Sequence, residues 1–235
     1  MSLISIIMPY FKKEMFVEET IKSILNQSYQ NIEILIIDDE LNDQSSKVLK
    51  KLSEKDKRIK ILLNEKNLGA GLSRNKGIQA ATGEYIAFCD CDDLWSKFKL
   101  EDQLNFMKKF NIDFSFTAYQ IIDKKGKIIG SRRAKDNISF DELILSCDIG
   151  LSTVMLKKKL FNNKNFYFPK IKTKEDFVLW LKILKKIKYV KGVKSKLSHY
   201  RKTNHSLSSN KFLSLINGYK VYKEYMRYDK VKSLY

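Results

Sequence analysis

Through the first half of the chain, short apolar runs alternate with segments of helical period. Leu3–Met8 reads as a strand closing at Pro9-Tyr10-Phe11, and Phe16–Leu25 as a helix with Val17, Ile21, Ile24 and Leu25 on one side. A second strand, Ile32–Ile37, ends at Asp38-Asp39, and a polar helix through Val48, Leu49 and Leu52 leads to a third strand at Ile59–Leu63. Asn67-Leu-Gly-Ala-Gly71 then opens a helix containing Arg74, and a fourth strand begins at Tyr85. This alternation predicts right-handed βαβ units and a parallel sheet. Further on, the pattern predicts a helix through Leu100, Leu104 and Met107, a strand at Asp113–Tyr119 and a hairpin from Ile121 to Ile129. A helix after Ser139, a strand at Leu151–Leu156, an amphipathic helix at Lys174–Ile187 and a strand at Lys196–Arg201 follow. After a polar loop, Thr203–Ser209, comes a closing helix from Phe212 to Lys232.

The stretch Tyr85–Trp95 carries the sharpest chemistry. Behind a buried-type run, Asp90, Asp92 and Asp93 fall within four positions, where they would raise one another's pKa unless a cation or donors held them. Carboxylates are hard ligands for Mg²⁺ or Mn²⁺, ions that bridge to phosphates, and open α/β sheets bind ligands at their strand ends. A solvated turn capping the next helix is the plain alternative. A calcium loop starting at Asp90 fails because its sixth position is Trp95 rather than glycine. Cys89 and Cys91 make a weak zinc signal. A phosphatase with an aspartyl nucleophile shares Asp-x-Asp and stays open as a rival.

No Gly-x-Gly-x-x-Gly follows the first strand and no Walker motif is present, so a metal would have to hold any phosphates. Tyr10/Phe11, Asp38/Asp39, Arg74 and the acidic stretch all sit at strand ends that a parallel sheet gathers on one edge. A uridine diphosphate could stack its base on an aromatic ring and give its N3–H to Asp39. Arg74 could meet a carbonyl or phosphate, and the later aspartates the ribose and a divalent ion. Singly, Phe11 could be a core aromatic and Asp38 a helix cap.

At 235 residues and 43% hydrophobic, the chain can bury the core of one large domain, or of a domain with an appendage. Three cysteines point to a reducing compartment, and Leu3–Met8 is too short for a signal peptide or membrane span. A cytoplasmic protein, peripheral at most on the inner face of a membrane, is the expectation. Charge adds an asymmetry. Residues 1–150 are balanced at 23 basic and 23 acidic, whereas residues 151–235 hold 22 basic and 4 acidic and so carry the whole excess of +18. That points to a polyanion, either an anionic membrane or nucleic acid. No nucleic-acid motif is recognisable, which leaves a non-catalytic polyanion binder as a third class and no nucleic-acid partner expected. The aromatic and basic closing helix is the candidate membrane contact, unless its apolar face packs on the protein's own core.

Several motifs in one order resemble family 2 glycosyltransferases: Ser5-Ile-Ile-Met-Pro-Tyr-Phe, Ser23-Ile-Leu-Asn-Gln-Ser-Tyr, Ile37-Asp-Asp, Asn67-Leu-Gly…Ser73-Arg-Asn-Lys-Gly and Phe88-Cys-Asp-Cys-Asp-Asp-x-Trp. The resemblance implies the GT-A fold, an α/β architecture with a mostly parallel central sheet flanked by helices, here followed by a helical basic C-terminal segment. It implies residues 1–110 for the nucleotide-sugar, 111–208 for the acceptor and 209–235 as the basic helix. It further implies an inverting transferase using a nucleotide-sugar (a UDP-sugar by preference) with Mn²⁺ or Mg²⁺, and a glycan or lipid-linked acceptor. Donor contacts fall on Pro9, Phe11, Asp39, Arg74, Asp90 and Asp92, the metal on Asp92 and Asp93, and the general base on Asp176. Glu175, Trp180, Tyr200 and Arg201 are the acceptor candidates. Ser206-Leu-Ser resembles a segment near the diphosphate. Glu40-Leu41 departs from the small turn ending in serine that is usual after the aspartate pair.

Overall fold

A computed structural model describes residues 1–203 and 211–227 of the chain. The sheet grows outward from β1 (Ile4–Tyr10), whose side chains alternate between two apolar layers. Ile4, Ile6, Met8 and Tyr10 face one layer, and Ile7 faces the other with Leu35, Ile37 and Phe88. Buried strands of this kind must be covered on both faces, which is why their sequences read as continuous apolar runs. β1 pairs in parallel with β2 (Ile32–Asp38) and with β4 (Tyr85–Phe88), and β2 pairs in parallel with β3 (Ile59–Leu63). The crossovers are α1 (Glu14–Leu25), α2 (Asp43–Lys55) and α3 (Ala70–Ala80). The register sets Tyr10 opposite Asp38, and Cys89 N–H donates to Ile7 O at 3.1 Å, so the carboxyl ends of β1, β2 and β4 form one edge.

Past β4 the sheet continues through β9 (Met155–Lys157), β6 (Phe114–Ile122), β10 (Val190–Arg201) and β5 (Leu94–Trp95). β6 and β10 run parallel, whereas β9 and β5 are antiparallel to their neighbours. α4 (Lys99–Lys109) precedes β6, while β7 (Ile128–Arg132) folds back on it as the hairpin and β8 (Asn137–Ile138) pairs with β10. α5 (Phe140–Leu145) opens with a capping box between Ser139 and Glu142. α6 (Glu175–Leu184) is wholly apolar from Phe177 to Leu181 and lies inside the larger cluster.

Four expectations are corrected. Leu151–Leu156 is not one strand. Leu151–Thr153 forms a 3₁₀ turn, fixed by Thr153 Oγ donating to Gly150 O at 2.6 Å, and only Met155–Lys157 is extended. The last strand starts at Val190 rather than Lys196, and register shifts around Lys196 break the alternation that would have shown it. Trp180 is fully buried, its ring 5.0 Å from Phe114 and 6.1 Å from Phe168, so it is a core residue with no acceptor to stack on. The closing helix, α7 (Lys211–Lys220) continued by a π turn at Val221–Tyr225, docks on the protein. Val221 and Met226 are buried in the larger cluster, and Asn217 donates to Thr173 Oγ at 2.7 Å. Part of its apolar face is therefore packed internally, while Ile216 stays 40% exposed. Ser206-Leu-Ser and the end of the predicted helix lie outside the described residues.

Candidate active site

The acidic loop leaves β4 at the sheet's carboxyl edge, and each of its carboxylates has its own partner. Asp90 Oδ1 accepts from Arg74 Nη2 at 2.7 Å, and Asp92 Oδ2 pairs with Lys13 Nζ. Asp93 is buried, its two oxygens accepting from Arg201 N–H at 2.9 Å and Ser152 Oγ at 2.5 Å. Burial and the neighbouring aspartates raise Asp92, and Asp93 far more, above the usual carboxylate range. Such a cluster is short of positive charge. Asp90 and Asp92 both line the cavity and suit a hard divalent ion. Among the described residues no His/Cys/Asp/Glu group of three is placed to hold a metal, so diphosphate and water would complete the coordination, as is usual for Mg²⁺. Asp93, the other expected ligand, ties the loop to Ser152 and β10.

Arg74 also lines the cavity. It is buried in α3 and bridges two acids, Asp90 and Glu175, the second at 2.8 Å. Burial opposes its charge, but Asp90 and Glu175 outweigh it and hold the guanidinium above its ordinary pKa. Glu175 opens α6 after Lys174, which takes a left-handed conformation at φ 66°. This kink turns the start of the helix toward the cavity. Burial, then the charge of Glu175, push the next residue, Asp176, up to about 7 against the pull of the Phe177 N–H and Arg74.

Asp39 is tied to the chain. Its oxygens accept from Leu68 N–H at 2.7 Å, Gly69 N–H at 2.8 Å and Asn64 Nδ2 at 2.7 Å, so this buried residue holds the loop that opens α3. Glu40, the departure after the aspartate pair, accepts from Lys12 N–H at 2.9 Å and ties the β1–α1 loop down. Phe11 in that loop is 45% exposed, a surface ring and not a core aromatic. Arg201 is a strut as well. Its Nε donates to Asp92 O at 2.8 Å and its Nη2 to Glu19 Oε2 at 2.6 Å. One cavity of about 610 Å³ is lined by Pro9, Phe11, Lys13, Arg74, the three acidic-loop aspartates, Glu175, Asp176 and Tyr200.

The model of "Glycosyl transferase family 2" matches residues 5–173. The chain belongs to that family. It is a glycosyltransferase, which sets aside the phosphatase and the non-catalytic polyanion binder. The enzyme is 40% identical over 215 residues to the UDP-Glc:alpha-D-GlcNAc-diphosphoundecaprenol beta-1,3-glucosyltransferase WfgD of Escherichia coli, covering 91% of this chain and 82% of the relative. It is 35% identical over 226 residues to TuaG of Bacillus subtilis, a glycosyltransferase ascribed to teichuronic acid biosynthesis, covering 96% and 89%. Among solved structures, S. aureus TarS 1-349 in complex with UDP-GlcNAc superposes with a TM-score of 0.79 at 20% identity over 98% of this chain and 69% of the 1-349 chain, a likeness of fold. The glycosyltransferase thus has the GT-A architecture.

Of the site residues named from sequence, the cavity gathers Pro9, Phe11, Arg74, Asp90, Asp92, Asp93, Glu175, Asp176, Tyr200 and Arg201, and leaves out Asp39 and Trp180. Sequence reading missed Lys13, Ser152 and Tyr119. The first follows Lys12 in a lysine-rich chain and stands out only through its contact with Asp92. Ser152 sits in a run that reads as a strand, and Tyr119 declares itself only by meeting Tyr200 edge-on at 6.4 Å.

Proposed function

We propose that this glycosyltransferase moves a hexosyl or N-acetylhexosaminyl group from a UDP-sugar to a hydroxyl of a lipid-diphosphate-linked glycan, with inversion, in the building of a surface polysaccharide. The observation that carries the reading is Asp176, held near pH 7 in the cavity that also holds the acidic loop. In an inverting displacement the acceptor oxygen bonds to the anomeric carbon as the bond to the diphosphate breaks. The acceptor's proton must leave at the same time, and an Asp176 carboxylate is placed to take it. Asp90 and Asp92 would hold the Mn²⁺ or Mg²⁺, which when bound offsets charge growing on the leaving diphosphate. Arg74 bridges Asp90 and Glu175, and Phe11 offers its exposed ring at the rim to the base. The name of WfgD supports the UDP-sugar and the lipid-linked acceptor, and that of TuaG supports a polysaccharide product.

A panel of nucleotide-sugars, scored by thermal stabilisation with and without Mn²⁺ and by donor turnover, tests it. One UDP-sugar should stabilise the protein in a metal-dependent way. Asp92→Ala should abolish that shift. Asp176→Asn should keep it and lose about 10²–10⁴-fold in turnover. Normal turnover by Asp176→Asn would remove the assigned base.

A further inference from the structure

The β6–β7 hairpin exposes an apolar pair on a strongly basic arm. Ile128 and Ile129 are 55% and 54% exposed although consecutive. Ile122 faces Ile128 and Ile121 faces Gly130, so Ile129 is the extra residue of a bulge, which interrupts the in–out alternation. Around them Lys124, Lys125, Lys127, Arg132 and Arg133 are exposed, and none has an ion-pair partner among the described residues. From 123 to 135 the chain has six basic residues and one acid, Asp123. That acid is turned inward, accepting from the N–H groups of Lys125 at 2.8 Å and Lys127 at 2.9 Å, and Gly126 completes the turn at φ 83°. The arm is thus a set turn.

Its base is joined to the catalytic cavity. Arg201 Nη1 donates to Lys124 O at 3.1 Å while the same side chain holds Asp92 O, and Tyr119 of the cavity wall pairs with Arg132. Lysines on an edge strand are commonly explained as a guard against pairing with other strands. That account explains the charges but not two exposed isoleucines among them. Apolar side chains flanked by cations match the acyl boundary and anionic headgroups of a bilayer.

We propose that the β6–β7 hairpin, and not the closing helix, is the surface by which this enzyme docks on an anionic membrane, bringing the cavity to a lipid-borne acceptor. The inference rests on the lipid-linked reading of the acceptor.

Full-length protein is sedimented with vesicles of phosphatidylcholine alone or with phosphatidylglycerol. Wild-type protein should favour the anionic vesicles and release as salt rises. The Lys124→Glu/Lys125→Glu/Lys127→Glu variant should lose about 100-fold in partitioning. Ile128→Ser/Ile129→Ser should lose about 10-fold with an unchanged melting temperature. In a Cys147→Ser background, a dye on Ser131→Cys should shift to the blue on anionic vesicles. Wild-type indifference to anionic lipid, variants that bind as wild type, or an unshifted dye on co-sedimenting protein would overturn the proposal. UDP-sugar hydrolysis without vesicles, measured alongside, reports the transferase reading separately, since none of the hairpin substitutions is at a cavity-lining residue and the Lys124 contact to Arg201 is made by its backbone O.

Discussion

Two buried ionisable side chains set the pH behaviour. Asp176 sits at about 7, driven up first by burial and then by Glu175. Because the base must be ionised, kcat/KM should climb between pH 6 and pH 8 through an apparent pKa near 7. Folding linkage has the opposite sign. The folded chain keeps this proton up to about pH 7, whereas the unfolded chain loses it near 3.8, so stability falls as pH rises across that window. Asp176→Asn should therefore melt higher than wild type at pH 8, and the two should converge below pH 4. Lys99 presents the mirror case. It is fully buried, 3.8 Å above the Trp95 ring, its Nζ has no hydrogen-bond partner among the described residues, and burial lowers it to about 7 from 10.5. The unfolded chain protonates it first, so stability falls as pH drops from 10.5 to about 7. Lys99→Met should melt higher at pH 7, with the gap narrowing toward pH 10.5. Differential scanning calorimetry across pH reads both pairs.

At the scale of elements, β10 carries the most consequence. It supplies Tyr200 and Arg201 to the cavity and is wedged between β6 and β5. A Cβ on Gly192 would lie 2.1 Å from Lys135 O and 3.0 Å from the Phe116 ring, and backbone cannot step aside as a side chain can. Gly192→Ala should cost about 1–3 kcal/mol in urea unfolding and weaken turnover by shifting Arg201 off the acidic loop. Elements with continuous apolar runs, β1, β2 and β4, were legible because both their faces are buried. β10 was not, because Lys194, Ser195 and Lys196 at its exposed positions and two register shifts conceal its period. β9 was legible only as part of a longer run whose first half turned out to be a 3₁₀ turn.

Across the whole molecule, one buried cation joins the acidic-loop end of the sheet to the helix that carries Asp176, the proposed base. Arg74 reaches Asp90 on one side and Glu175, 101 residues away in sequence, on the other. Removing it strands both acids. Arg74→Ala should destabilise by about 3 kcal/mol, the low end for a broken buried pair because the Asp90 side chain is 35% exposed. It should also move the acid limb of the pH–rate profile upward, since Arg74 is among the groups that hold Asp176 down. A profile unchanged in midpoint would separate Arg74 from the base.

The sequence by itself determined the order of the βα units, the edge on which their polar ends collect, and the family, because strand burial and strand-end chemistry are both written locally. Tertiary structure alone decided what each polar end does. Asp39, Asp93 and Arg201 make internal ties, Trp180 is core, and Arg74, in the cavity wall, bridges two acids. It also turned the closing helix inward and left the hairpin bare. The reason is physical: a side chain's role follows from whichever partner, water or apolar surface lies within a few ångströms, and such neighbours come from residues far apart along the chain.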